Sequence, residues 1–196
     1  MIVGVTGGIG AGKSFVAGLL GRLLKYDVID ADSICRNLMQ QEMPGWLRIK
    51  EHWGDYFFDQ HGNVDRPALR NALFADPLVR QAVERLLHPL VRQEILSRVT
   101  EKRSCFAGMV VEVPLLFEVG WQLDFDWIVV VYAESDCCVQ RVVRRDLVSL
   151  DAGMAAVRAQ IPLEEKAMRA DSVIENSGPL ALTILQVFHL VRFLSD

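Results

Sequence analysis

The stretch IVGVTGGIGAGKSFV, residues 2–16, constrains this chain more than any other. A short apolar, β-branched run passes into glycines at positions 7, 8, 10 and 12 and then into Lys13 and Ser14. The segment KSFVAGLLGRLL that follows has helical period, so the local expectation is a strand, a glycine loop and a helix. Gly7, four residues, then Gly12, Lys13 and Ser14 satisfy G-x-x-x-x-G-K-[ST] in full. Such a loop turns successive N–H groups towards phosphate oxygens, which needs backbone conformations that a Cβ hinders. Lys13 supplies positive charge to the terminal phosphates and Ser14 a hydroxyl for Mg²⁺. The helix aims its positive N-terminal end at the same place. Gly8, Gly10, Ala11, Gly12, Lys13, Ser14 and Phe15 are therefore expected to cradle a nucleoside triphosphate, with Ser14 as the metal ligand. The rival is a glycine-rich turn with a chance lysine.

Further short apolar runs at residues 26–30, 109–113, 127–132 and 172–175 alternate with helical stretches. That pattern predicts an α/β fold, a parallel five-stranded sheet flanked by helices, with strands buried on both faces. The second and third strands are too far apart in sequence for one crossover, so a helical insert is expected between them. It contains DRPALRNALF after the turn DQHGN, and HPLVRQEILSRVTEK, where Pro89 suits a helix's first turn. Ser135 or Asp136 is placed to cap a helix through DCCVQRVVRRDL, and a second helical segment is expected to run through DAGMAAVRAQ to Pro162. Residues 179–194 predict a last helix on the sheet.

The formal net charge of -4 speaks against a dedicated nucleic-acid binder, so a polyanionic ligand must be met by local groups. Cys35, Cys105, Cys137 and Cys138 form no C-x-x-C pair, and His52, His61, His88 and His189 have no metal-ligand spacing, so reduced thiols and no structural metal are expected. The start lacks the basic region and cleavage site of a secretory signal. The tract PLALTILQVFHLVRFL is too short and too interrupted to span a bilayer. A cytoplasmic protein with no membrane and no obligate protein partner is the expectation.

The Asn-Lys-x-Asp string of guanine-specific switch proteins is absent, and the chain is small for a motor or transporter, which favours a small-molecule kinase. In VIDADSICR, Asp30 and Asp32 project to one side if the strand stays extended that far. One of them could accept a proton from an acceptor hydroxyl while helping to order the metal; alternatively Asp32 caps a helix starting at Ser33. Arg141, Arg144 and Arg145, at helical spacings, share a face that suits phosphate in a closing lid, or is a solvated basic surface. In EVPLLFE, Glu112 and Glu118 are weaker candidates for the metal's water shell. His88, alone before Pro89, reads first as a structural hydrogen-bonder.

The segments TGGIGAGKS, DAD with Arg36 four residues after Asp32, WG, LHP, VPLLFE, QRVVRRD and QIPLEEKAMRADSVIENSG, in this order, resemble the dephospho-CoA kinase family over essentially the whole chain. The resemblance implies a P-loop kinase that moves the γ-phosphoryl group of ATP to the ribose 3'-hydroxyl of dephospho-CoA, with Mg²⁺. It implies a nucleotide-binding core at residues 1–31, 108–135 and 170–196, a helical acceptor-binding insert at 32–107 and a helical lid at 136–169. It makes Asp32 the base, places Arg36 and His88 with the acceptor, sets Lys13, Arg141 and Arg145 to work on the transferred phosphoryl group, and puts Asn176 near the adenine. Two departures stand out. Ala11 and Phe15 replace the serine and threonine usual in relatives, and Ala156 stands where relatives commonly carry an arginine, with Arg158 two residues on. A kinase acting on a nucleoside or nucleoside monophosphate is the alternative, and an ATP-holding regulatory protein a third reading.

Overall fold

The protein is described by a computed structural model over residues 1–102 and 108–195; Cys105 lies outside the described residues. Along the chain run β1 (Ile2–Gly7), α1 (Lys13–Leu24), β2 (Asp27–Asp30), α2 (Ala31–Leu38), α3 (Pro44–Trp53), α4 (Arg66–Ala75) and α5 (Pro77–Lys102). They continue as β3 (Met109–Glu112), β4 (Trp127–Tyr132), α6 (Ser135–Asp146), α7 (Leu150–Arg158), α8 (Leu163–Met168), β5 (Ser172–Glu175) and α9 (Leu180–Ser195). The chain divides into two compact units, Met1–Asp30 with Lys102–Asp196, and Ala31–Glu101.

The first unit is built on a parallel five-stranded sheet of order β2-β3-β1-β4-β5. Every residue of β1 and β3 is buried, as strands covered on both faces must be, while the edge strands β2 and β5 are partly exposed. Val3, Val5, Val110 and Val129 share one core with Val16, Ala17 and Leu20 of α1 and Val187 and Leu190 of α9. β1 lies centrally, between β3 and β4, and strand order reverses beside it. In open α/β sheets that reversal, at the strands' carboxyl ends, is where a ligand site opens.

The second unit has its own core of Ile49, Phe57, Val64, Leu69, Val83 and Leu87, with Trp46 and Trp53 packed against it. Trp46 also donates its indole N–H to the Gly62 carbonyl at 2.8 Å, tying α3 to the turn at residues 59–63.

Four local expectations change. Pro89 lies inside α5 rather than in a first turn, and Pro77 takes the starting position. A mid-helix proline removes a hydrogen bond and costs about 3 kcal/mol. Here Val83, Leu87, Val91, Ile95 and Val99, one every four residues, are all buried. That stripe, at about 1.5–3 kcal/mol per aliphatic side chain, outweighs the proline. Neither Ser135 nor Asp136 caps α6: Glu134 holds the N-cap position without a side-chain cap, and its N–H is met instead by Ser177 Oγ at 2.8 Å. The strand does not stay extended through Asp32, because β2 stops at Asp30 and α2 starts at Ala31. Asp32 is thus neither on a strand face with Asp30 nor a cap before Ser33; it sits in the first turn of α2. Finally, α7 ends at Arg158, short of Pro162.

Cys35 and Cys137 are half-buried free thiols and Cys138 a buried one. No helix among the described residues is long and apolar enough to cross a membrane.

Candidate active site

The loop between β1 and α1 is shaped by contacts that leave no room for a side chain at Gly10 or Gly12. Gly10 has φ 80° and a Cβ there would lie 2.5 Å from the Cys138 carbonyl oxygen; Gly12 has φ 98° and a Cβ would meet Asn176 Nδ2 at 2.3 Å. Gly12 is also the N-cap of α1, with no side-chain cap, so the helix N-terminus faces the loop without a carboxylate or hydroxyl cap at that position.

Lys13 is 9% exposed, and its ammonium donates to the Gly8 carbonyl at 2.9 Å. The Ser14 hydroxyl donates to Glu112 Oε1 at 2.9 Å. Glu112 is buried at the end of β3, and the β2–β3 register sets Asp30 directly beside it. Strand patterning alone does not single out Glu112, because nothing in a strand's own residues reveals which carboxylate its neighbour carries. Glu118 takes a different place: its carboxylate binds the ammonium of fully buried Lys166 at 2.7 Å and accepts the Ile161 N–H at 3.2 Å.

Of the three arginines on α6, Arg141 reaches the loop, donating to the Gly10 carbonyl at 3.3 Å and the Asn176 carbonyl at 2.7 Å. Arg145 instead forms a two-pronged pair with neighbouring Asp146 at 2.7 and 2.9 Å, whose hydrogen bond raises its pKa, and Arg144 is exposed. Asn176 is buried, with its amide nitrogen donating to the Ala11 carbonyl at 2.7 Å and its amide oxygen accepting from Thr183 at 2.8 Å. Its side chain thus props the loop from behind. Sequence reasoning missed Gln160, whose side-chain oxygen accepts the Ile9 N–H at 2.7 Å. Gln160 opens the segment QIPLEEKAMRADSVIENSG that carries part of the family resemblance, but nothing within that segment tells which distant N–H its amide meets.

In the second unit, Asp32 and Arg36 lie four residues apart on α2, and so on one face of it. The Arg36 guanidinium donates to Ser33 Oγ, and Arg66 donates to the Arg36 carbonyl at 3.1 Å. Burial, then the negative charge of Asp32, push the Cys35 thiol up to about 11, so it stays protonated. His88 lies mid-helix in α5, half-buried, and burial lowers its pKa against the opposing pull of Glu84. It is held in its neutral form.

Residues 1–181 match the family model described as dephospho-CoA kinase. The chain belongs to that family. A dephospho-CoA kinase from Desulfotalea psychrophila is 38% identical over 191 residues, 97% of this chain and 96% of the relative. Among solved structures, TT1252 from Thermus thermophilus is 33% identical, with a TM-score of 0.84 over 100% of this chain and 98% of the other. A dephospho-CoA kinase from Campylobacter jejuni is 25% identical, with a TM-score of 0.72 over 99% and 96%.

The two departures from the dephospho-CoA kinase pattern have different settings. Ala11 is fully buried and its carbonyl receives Asn176, whereas Phe15 is 41% exposed at the start of α1. Ala156 and Arg158 both lie on α7; Ala156 is half-buried and Arg158 exposed. Two positions on, the helix points about 200° away, so Arg158 does not take over the direction of Ala156.

Proposed function

We infer that this chain is an ATP-dependent kinase that phosphorylates dephospho-CoA, at its ribose 3'-hydroxyl, giving coenzyme A and ADP. The observation that carries the reading is the complete phosphate loop on β1, with Lys13 buried and docked at its rim, in a chain of this family.

The loop from Gly8 to Phe15 holds the triphosphate through backbone N–H groups, as the positive end of α1 favours. Lys13 keeps the Gly8 carbonyl on one of its three N–H groups and turns the others to the terminal phosphates, and Arg141 and Arg145 add positive charge as charge shifts to the leaving oxygen. Asn176 acts by holding the Ala11 end of the loop. Asp32 takes the proton from the 3'-hydroxyl while its oxygen bonds to the γ-phosphorus and the bond to the bridging β–γ oxygen breaks, releasing ADP. Arg36 and neutral His88 bind the acceptor. The helical unit at residues 32–107 is the acceptor domain and residues 136–169 the lid over the donor, both joined to the core at 1–31, 108–135 and 170–196.

Mg²⁺ fits the oxygen donors Ser14, Glu112 and Asp30, since it prefers hard oxygen ligands and keeps much of its water and phosphate shell. Ser14 would hold it directly, with the two carboxylates ordering its waters. When bound, the ion neutralises charge on the β- and γ-phosphates. The free thiols Cys35, Cys137 and Cys138 support a reducing, cytoplasmic setting.

The test is product formation by purified protein given ATP, Mg²⁺ and a panel of acceptors: dephospho-CoA, nucleosides and nucleoside monophosphates. Coenzyme A is expected from dephospho-CoA alone; its absence sinks the reading. Asp32→Asn should lose about 10²–10⁴ in turnover with ATP affinity nearly intact, and full activity would remove Asp32 as the base.

A further inference from the structure

The peptide joining Gly8 to Ile9 is gripped at both ends. Its carbonyl accepts from the Ala11 N–H at 3.2 Å and from Lys13 Nζ at 2.9 Å. Its N–H donates to Gln160 Oε1 at 2.7 Å, across 151 residues of sequence. A peptide is planar, so fixing the N–H fixes the direction of the carbonyl on which Lys13 rests.

Gln160 is itself braced. Lys166, fully buried, joins the Glu118 carboxylate at 2.7 Å and the Pro114 carbonyl at 3.2 Å. That carbonyl also accepts from Thr6 Oγ1 at 3.2 Å, one residue before the glycine loop. Glu118 in turn accepts the N–H of Ile161, next to Gln160. On α8, the Tyr132 hydroxyl donates to Glu164 at 3.0 Å, which raises the Tyr132 pKa, and Leu163 lies 3.1 Å from where a Cβ on Gly8 would be. The segment from Gln160 to Lys166 is therefore bolted to the sheet on one side and packed on the loop on the other.

We propose that Gln160 is a positioning residue for Lys13: by holding the Gly8–Ile9 peptide in one orientation, on the anchor supplied by Lys166 and Glu118, it sets where the Lys13 ammonium stands to meet phosphate. The inference rests on the ATP reading of the loop. A glutamine serves where a glutamate would not, because the amide oxygen accepts the N–H without bringing negative charge to a site for a polyanion.

The test compares wild type, Gln160→Met and Gln160→Glu by amide hydrogen exchange at Ile9, calorimetric ATP binding without acceptor, and melting temperature. Gln160→Met should speed Ile9 exchange and weaken ATP binding, each about fivefold to tenfold, the size of one lost hydrogen bond, with dephospho-CoA KM unchanged and the melting temperature lowered by only about 2–4 °C. Gln160→Glu keeps the acceptor, so Ile9 should stay protected while ATP binding weakens through like charge. Unchanged ATP affinity in Gln160→Met overturns the proposal, as does a loss accompanied by faster exchange throughout β1 and α1. Wild type that binds no ATP would sink the nucleotide reading itself, whereas wild type and Gln160→Met binding it equally well would sink this inference alone.

Discussion

The phosphate loop and α2 hold the two halves of the proposed chemistry in different ways. Around the loop, side chains from far along the sequence converge on backbone carbonyls and N–H groups: Arg141 on Gly10, Asn176 on Ala11, Gln160 on Ile9. On α2, Asp32 and Arg36 are presented by one eight-residue helix, and Arg36 bonds Ser33 within its own turn. The donor half is a backbone shape maintained by tertiary contacts, and the acceptor half is a set of side chains on a helix. The first should fail when the backbone is disturbed, the second when a functional group is removed.

The largest effect that sharpens this contrast is expected from Gly12→Ala. The left-handed conformation alone costs about 1–2 kcal/mol in a residue with a Cβ, and that Cβ would also strike Asn176. Together these predict a loss of about a hundredfold in kcat/KM for ATP with the KM for dephospho-CoA unchanged, measured by steady-state kinetics with each substrate varied. Equal damage to both substrates would break the division between the two halves. Arg36→Met should act in the opposite sense, raising the KM for dephospho-CoA about tenfold or more while calorimetric ATP affinity stays at the wild-type value. If ATP affinity falls instead, Arg36 belongs to the donor half.

The smallest effect concerns His88. Its pKa in the folded chain lies below the ordinary 6.5, so the unfolded chain takes up the proton first. Stability should therefore be complete above that value and fall as the pH is lowered through it and through the folded-state pKa. Melting temperatures between about pH 7.5 and pH 5 should show this slope, and His88→Gln should flatten it. A slope unchanged in the variant would assign the acid sensitivity to other groups.

Much of the donor half was legible in the residues because its signals are local. A glycine that must adopt positive φ, a lysine at fixed offset and a following helix are all written within about a dozen positions. The strands at 127–132 and 172–175 and helix α1 likewise stand where apolar periodicity put them. What misled was also local: the pair His88–Pro89 looks like a helix start until the four-residue stripe from Val83 to Val99 is weighed against it. Ser135 looks like a cap until Ser177 supplies the hydroxyl from another strand's end.

The sequence by itself determined the α/β order of elements, the phosphate loop with Lys13 and Ser14, and, through motifs spread over the chain, the family and hence the acceptor. Only the tertiary structure decided that Glu112 bonds Ser14 and neighbours Asp30, that Arg141 alone of its three arginines meets the loop, that Asn176 props it from behind, and that Gln160 grips Ile9. The reason is physical: strand register and long-range hydrogen bonds join residues about 80 to 165 positions apart, and no propensity or spacing along the chain encodes which distant partner a buried polar group will find.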